Sequence, residues 1–278
     1  MTPGRQPALG VVTLAALDVR RRPDHAAEMG SQLLMGEGVR VLGRERGDRW
    51  LRIESLADGY RGWVRSWGLV PATPARLRTW RRRARARAVR LWLEVRAAPG
   101  RGALVSPLFW GGRVIPGRIQ GKFRLLTFPD GREGWAEGSG LAVGRRGVPS
   151  LASRVADLLG VPYLWGGRTP AGMDCSGLVQ MLSAEQGVRL PRDAADQERG
   201  SRKLAPGERP RIGDLAFFGP RPGPAGHVGI LIGGGRYAHS RGRVTVNHMT
   251  PGNDLYDKEL GAQFRGVHRP LRGRPEAI

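Results

Sequence analysis

Cysteine occurs once in the 278 residues, at position 175, which excludes an internal disulfide and any zinc site built on several thiolates. Lysine is nearly as scarce: Lys122, Lys203 and Lys258 are the only three among 46 basic residues. Acidic residues number 24, leaving a formal charge of +22. That balance ordinarily suggests a polyanionic partner. Here the excess is almost all arginine in a chain also rich in Ala, Gly and Pro, a pattern that drift toward Arg-rich coding produces equally well. A basic surface alone specifies neither fold nor site, so nucleic acid is not expected as a partner. Long apolar runs are missing too. ALGVVTLAAL at 8–17 has the length of a signal-peptide core, but only Arg5 flanks it, no small-x-small cleavage site follows, and it runs straight into LDVRRRP. It reads as a strand. No other stretch approaches the roughly 18 apolar residues of a membrane span. One thiol and no clear export signal point to the cytoplasm, with the cell envelope or secretion as the alternative.

The first half of the chain is internally repeated at a spacing of about 75 residues. Val19-Arg20 with Pro23 returns as Val95-Arg96 with Pro99, Ser31-Gln32-Leu33 as Ser106-Pro107-Leu108, and DGYRGW at 58–63 as DGREGW at 130–135. Short stretches of alternating polarity between Gly, Pro and Asp turns predict a small β-barrel for each copy, at 1–75 and 91–146. Trp63 and Trp135 are expected to fill the barrels. Between the copies, 76–90 carries eight arginines and no acid, and such a run predicts a solvated linker or exposed edge.

From about residue 147 the pattern changes to an α+β domain that continues to 278. Ser150 can cap a helix with Leu151, Val155, Leu158 and Leu159 on its apolar face. Asp174 can cap a second, starting at Cys175, with Leu178, Val179, Met181 and Leu182 buried. Strands are expected at Asp214–Phe218, His227–Ile232, Arg236–Ser240 and Arg243–Asn247. A thiol at a helix start ionises more readily, though Asp174 opposes this and a second activator is needed. Of the five histidines, His25 and His268 read as surface residues, and His227 and His239 are the candidates. They flank Gly233-Gly234-Gly235 on adjacent strands. A strict two-residue turn would set Ile230 opposite His239 and put the imidazoles on opposite faces, so a shared site requires a bulge or longer loop. Given that geometry, His227 takes the thiol proton, His239 orients His227, and the Cys175 N–H with the Tyr163 hydroxyl holds the oxyanion. Zinc bound by Cys175, His227 and His239 is the competing reading, though such a set lacks the four ligands of a structural site.

VPYLWGGRTPAGMDCSGLVQ at 161–180, LPRDAADQ at 190–197, GDLAFF at 213–218, GHVGI at 226–230 and AHS at 238–240 resemble the NlpC-type family of papain-like cell-wall cysteine peptidases. The two N-terminal copies resemble bacterial SH3-like domains. The resemblance implies an α+β architecture with a C-terminal papain-like domain behind two small SH3-like β-barrels. It also implies cleavage of the γ-D-glutamyl-L-diamino acid bond in peptidoglycan stem peptides. Carried over by position, Cys175 is the nucleophile, His227 the base and His239 the third polar member. Asp174 and Ser176 would bind the free amino group of an N-terminal L-Ala, and Tyr163 would contact substrate or oxyanion. Arg192 and Gln197 are assigned no direction. No metal or cofactor is implied. Barrels that wall off the cleft would favour short released fragments, and hence turnover or recycling. The alternatives are an amidase or acyltransferase on the same scaffold, or a wall-binding module with vestigial catalysis.

Overall fold

The computed structural model describes residues 8–45, 47, 49–144 and 148–271. The chain divides between Val148 and Pro149 into two compact units. The boundary expected between 146 and 147 lies outside the described residues.

The first unit holds two seven-stranded sheets, antiparallel at every pairing, with α1 between them in sequence. Strands β1 (Leu9–Val12), β2 (Ala16–Arg20), β3 (Met29–Leu34), β4 (Gly38–Glu45), β5 (Trp50–Ser55), β6 (Arg61–Arg65) and β7 (Leu69–Ala72) are ordered β3-β2-β6-β5-β4-β1-β7. After α1 (Pro74–Arg83) come β8 (Ala86–Ala88), β9 (Trp92–Ala98), β10 (Arg101–Phe109), β11 (Arg113–Gln120), β12 (Phe123–Thr127), β13 (Glu133–Glu137) and β14 (Leu141–Val143). Their order, β10-β9-β13-β12-β11-β8-β14, repeats the first strand for strand. The repeat seen in the sequence is therefore a repeat of topology, and the two SH3-like copies have matching cores. Leu17, Val19, Leu33, Val39 and Val64 occupy the first, and Leu93, Val95, Leu108, Val114 and Ala136 the second. The run at 8–17 splits between β1 and the start of β2.

Two expectations fail in this unit. The tryptophans after the Asp-Gly turns do not fill the barrels. Side chains alternate along β6 and β13, and Val64 and Ala136 take the inward positions. Trp63 is left half-buried, whereas Trp135 is buried but outside the barrel cluster, with the Arg118 guanidinium 5.4 Å from its ring centroid. The arginine run is also neither linker nor edge. Thr73 Oγ1 accepts from Arg76 N at 3.2 Å and Pro74 starts the helix, while Leu77 is buried and Trp80 Nε1 donates to Gly36 O at 3.0 Å. Repulsion is avoided by fanning Arg76, Arg78, Arg82 and Arg83 into solvent, and arginines in the last turn complement the negative end of the helix dipole. Ala86–Ala88 then pairs with both β11 and β14.

In the second unit α2 (Leu151–Leu158) is capped by Ser150 Oγ, which accepts from Ser153 N at 3.2 Å. The hairpin β15 (Arg168–Thr169) and β16 (Gly172–Met173) leads into α3 (Cys175–Glu185), followed by α4 (Ala194–Arg199). Then come β17 (Ser201–Lys203), β18 (Leu215–Phe218), β19 (His227–Gly233), β20 (Arg236–Arg241), β21 (Arg243–His248), α5 (Lys258–Ala262) and β22 (Phe264–Pro270). The sheet order is β17-β22-β18-β19-β20-β21. Helix α3 packs on β19 and β20 and buries nearly every side chain, as befits the central helix of the domain. Arg154 of α2 joins Glu185 of α3 through two buried hydrogen bonds of 2.9 and 3.0 Å. His268, expected at the surface, is buried in β22 opposite Leu215 with its ring 4.9 Å from that of Phe217, because the chain returns to fill the gap between β17 and β18. Among the described residues no helix is long and apolar enough to cross a membrane.

Candidate active site

Asp174 caps α3 as its sequence position suggests, with Oδ1 accepting from Gly177 N at 2.6 Å. Its other oxygen accepts from Gly166 N at 2.8 Å, which pins the Trp165-Gly166-Gly167 loop to the helix start. The approach is so close that a Cβ on residue 177 would sit 2.2 Å from Gly167 O, and only glycine fits there. Cys175 is thus the first helical residue, buried, with the N–H groups of Ser176 and Val228 directed at its sulfur. Val228 adjoins His227, so this contact sets the thiol against the histidine-bearing strand. Burial, reinforced by the Asp174 charge, pushes the thiol up to about 11. The easier ionisation expected at a helix start is therefore reversed, because desolvation outweighs the dipole.

The Gly233–Gly235 hairpin is irregular in the way a shared site requires. Ile230 pairs with Ala238 and Leu231 with Tyr237, but Gly233 pairs with Arg236, so Ile232 is an extra residue on β19. Gly233, Gly234 and Gly235 have φ of 96°, 58° and 73°, a run of left-handed conformations open only to glycine at low cost. The bulge sets Gly229 opposite His239 and brings His227 and His239 to one face. Their rings meet edge to face, with His227 Nε2 2.9 Å from His239 Nδ1. Nδ1 of His227 is the ring nitrogen outside this contact. His239 Nε2 lies 2.6 Å from Asn247 Oδ1 on β21. Both ring nitrogens of His239 are thus engaged in hydrogen bonds within the site. Burial pushes His227 down to about 3, helped by the His239 and Arg241 charges, and lowers His239 as well. The Cys175 and His227 shifts both favour the neutral forms of thiol and imidazole.

Tyr163 bridges to Met173 beside the helix start, and its hydroxyl is pushed up to about 12 by burial and by the charges of Cys175 and Asp174. It stays protonated at neutral pH. Ser176 Oγ lies 3.2 Å from Asp174 Oδ1. What the sequence reading left undirected is the counterion: Arg192, 2% exposed, reaches Asp174 Oδ1 and Oδ2 at 3.0 and 2.6 Å and Ser176 Oγ at 2.9 Å. Two backbone N–H groups, Ser176 and this arginine together saturate the carboxylate. Gln197, fully buried, donates from Nε2 to Ser176 O at 3.0 Å and Pro191 O at 2.9 Å. Glu198 accepts from Ala225 N at 3.1 Å and pairs with Arg265, bracing the Pro/Gly-rich approach to His227. Asn247 was the residue missed outright. Alternation along Val244–Asn247 was the available signal, because it puts Asn247 on the face of Thr245, which lies opposite His239.

The bulge leaves little room beside His239. A Cβ on residue 229 would lie 2.6 Å from Tyr237 Cδ2 and 3.4 Å from His239 Cβ. Gly229→Ala is accordingly expected to shift β20 and lower kcat by about 10–100-fold, as a misplacement near 1 Å does, with KM little changed. An unchanged kcat would show that the imidazole pair tolerates the movement.

Residues 160–263 match the NlpC/P60 family, and residues 19–69 match the bacterial dipeptidyl-peptidase SH3 domain. The chain is 39% identical over 113 residues to a γ-D-glutamyl-L-lysine dipeptidyl-peptidase of Bacillus subtilis, covering 40% of this chain and 38% of that one. It is 37% identical over 119 residues to the peptidoglycan endopeptidase RipB of Mycobacterium tuberculosis, covering 37% of this chain and 48% of the other. The chain thus spans less than half the length of these curated relatives. A crystal structure of an NlpC/P60 family protein from Bacillus cereus superposes with a TM-score of 0.77, at 19% identity, over 95% of this chain and 99% of its own. That likeness speaks for the fold. With Cys175 on the helix start and the two histidines on one sheet face, these matches identify the chain as carrying an NlpC/P60 domain together with a bacterial dipeptidyl-peptidase SH3 domain.

Proposed function

We propose that the second unit hydrolyses the amide between γ-D-glutamate and an L-diamino acid in peptidoglycan stem peptides, acting on released fragments whose N-terminal L-Ala is free. Turnover or recycling of wall fragments, in the cytoplasm, is the setting that goes with such a substrate. The observation that carries the reading is the imidazole pair at 2.9 Å across β19 and β20, the two strands on which the thiol-bearing helix packs. Sγ of Cys175 attacks the γ-carbonyl carbon as the thiol proton passes to Nδ1 of His227. Negative charge gathers on the former carbonyl oxygen, within reach of the Cys175 N–H and the Tyr163 hydroxyl. Collapse breaks the C–N bond, the departing amine takes the proton from His227, and a thioester remains. Water then adds with His227 again as base, releasing L-Ala-γ-D-Glu and restoring the thiol.

The free-amine preference is supported by the dipeptidyl-peptidase names of the relative and of the SH3 match. Asp174 and Ser176 are the proposed contacts for the ammonium, which must share the carboxylate with Arg192. Mass spectrometry of L-Ala-γ-D-Glu-L-diamino acid, its N-acetyl form and intact sacculi tests the proposal. Cleavage after γ-D-Glu is expected for the free tripeptide, with the acetylated form at least about 10²-fold slower, as loss of a buried charged contact costs. Equal rates on acetylated peptide or sacculi would refute the fragment specificity, and no cleavage of any form would refute the bond assignment.

A further inference from the structure

The hydrogen bonds around His239 do not stop at the imidazole pair. Asn247 Nδ2 donates to Leu255 O at 2.7 Å, and that same carbonyl accepts from His248 N at 2.9 Å, so its position is set by backbone. Since an amide nitrogen can only donate and an amide oxygen only accept, the side-chain orientation follows, and Oδ1 is the atom turned to His239. His239 Nε2 must then carry a proton. In a neutral ring this leaves Nδ1 as an acceptor, and its partner at 2.9 Å, His227 Nε2, has to be the donor. His227 consequently presents a bare Nδ1 lone pair, the form able to take a proton from the thiol.

We propose that Asn247 is a positioning residue of this site: through His239 it fixes the tautomer of His227, so that the base is delivered with its proton on the far nitrogen. The direction of every hydrogen bond from Leu255 O to His227 follows from a side chain that cannot ionise. An aspartate at 247 would accept from Nε2 equally well but would also favour an imidazolium at 239. His239 would then carry a proton on Nδ1 as well, His227 would have to accept at Nε2, and its own proton would move to Nδ1, facing the sulfur. Neutral amide chemistry at 247 therefore preserves the base. Packed against the pair are the Phe218 ring, 5.9 Å from that of His227, and the Tyr237 ring, 5.3 Å from that of His239; the charges that act on it are those of Arg241 and Asp257, and the Val228 N–H holds the Cys175 thiol against the same strand. Arg241 pairs with Asp257 at 3.2 Å and also with Glu259, and the Asp257 charge acts against that of Arg241 at both histidines.

The inference rests on the peptidase reading for its catalytic consequence but not for the tautomers, and the test separates the two. In ¹⁵N-histidine-labelled protein at pH 7, long-range proton–nitrogen spectra are expected to show Nε2–H neutral rings at both 227 and 239. Asn247→Leu is expected to replace them with tautomer mixtures. Asn247→Asp is expected to protonate His239 and to raise the acid limb of kcat/KM by at least about one pH unit, with KM within twofold. Unchanged tautomers in Asn247→Leu, or an acid limb in Asn247→Asp that superimposes on the parent, overturns the proposal. If no peptide is cleaved by the parent protein, the peptidase reading fails while the spectra still decide the role of Asn247.

Discussion

Cys175→Ala is expected to lower kcat on the free-amine tripeptide by at least about 10⁴-fold, as removal of a nucleophile from a cooperating set does, while circular dichroism and Tm stay close to those of the parent. The pH dependence should be distinctive. His227 acts as a base only when neutral, and because burial pushes it down to about 3, kcat/KM should show no acid limb near the ordinary histidine value of about 6.5. Stability runs the other way. Below about pH 6.5 the unfolded chain takes up a proton at residue 227 that the folded chain refuses until about pH 3, so stability falls as pH drops through that window. Activity and far-UV ellipticity measured side by side separate the two effects. The thiol gives an independent reading. With Cys175 pushed up to about 11, alkylation by iodoacetamide should keep accelerating above pH 8. Fast alkylation that is already level at pH 6 would instead mean a thiolate–imidazolium pair at rest, and the neutral resting site would be wrong.

How much of this was legible depended on whether the determining interaction was local. The cap at Asp174, the helix from Cys175 and the strands carrying His227 and His239 are written in short-range patterns, and the structure reproduces them. The bulge was legible as a requirement, since parity along two strands forbids a shared face without it. Trp63 and Trp135 were misjudged because size suggested the inward positions, whereas alternation gives those to their neighbours Val64 and Ala136, and Trp135 is buried outside the barrel cluster. Helix α1 was hidden by its charge: eight arginines mask Leu77 and Trp80, whose contacts lie far away in sequence, at Gly36 for the indole. His268 was misplaced because nothing local announces that the final strand returns between β17 and β18. Arg192 is the same kind of case, since its partners are a cap and a hydroxyl 18 and 16 residues upstream.

Arg192→Ala is expected to combine large stability and activity effects, and a second arginine supplies the control. Helix α3 carries a buried arginine–carboxylate pair at each end, Asp174–Arg192 and Glu185–Arg154, with side chains no more than 9% and 4% exposed respectively. Removing one partner from such a pair strands a charge in a dry interior and costs about 3–5 kcal/mol. Arg192→Ala and Arg154→Ala should therefore lower stability by similar amounts in urea titrations. Their effects on activity should part. Glu185 lies at the far end of the helix, so Arg154→Ala protein that is still folded should keep kcat and KM within about threefold, as for sites remote from the chemistry. Loss of Arg192 frees Asp174 and Ser176, which flank the nucleophile, and the uncompensated carboxylate beside Cys175 raises the cost of forming a thiolate. The expected result is a kcat at least about 10²-fold lower under conditions where both variants remain folded, equivalent to about 2.7 kcal/mol of transition-state stabilisation. Equal activities in the two variants would mean that the Arg192 cluster only holds the helix start in place, and the amine contact proposed for Asp174 and Ser176 would lose its electrostatic basis.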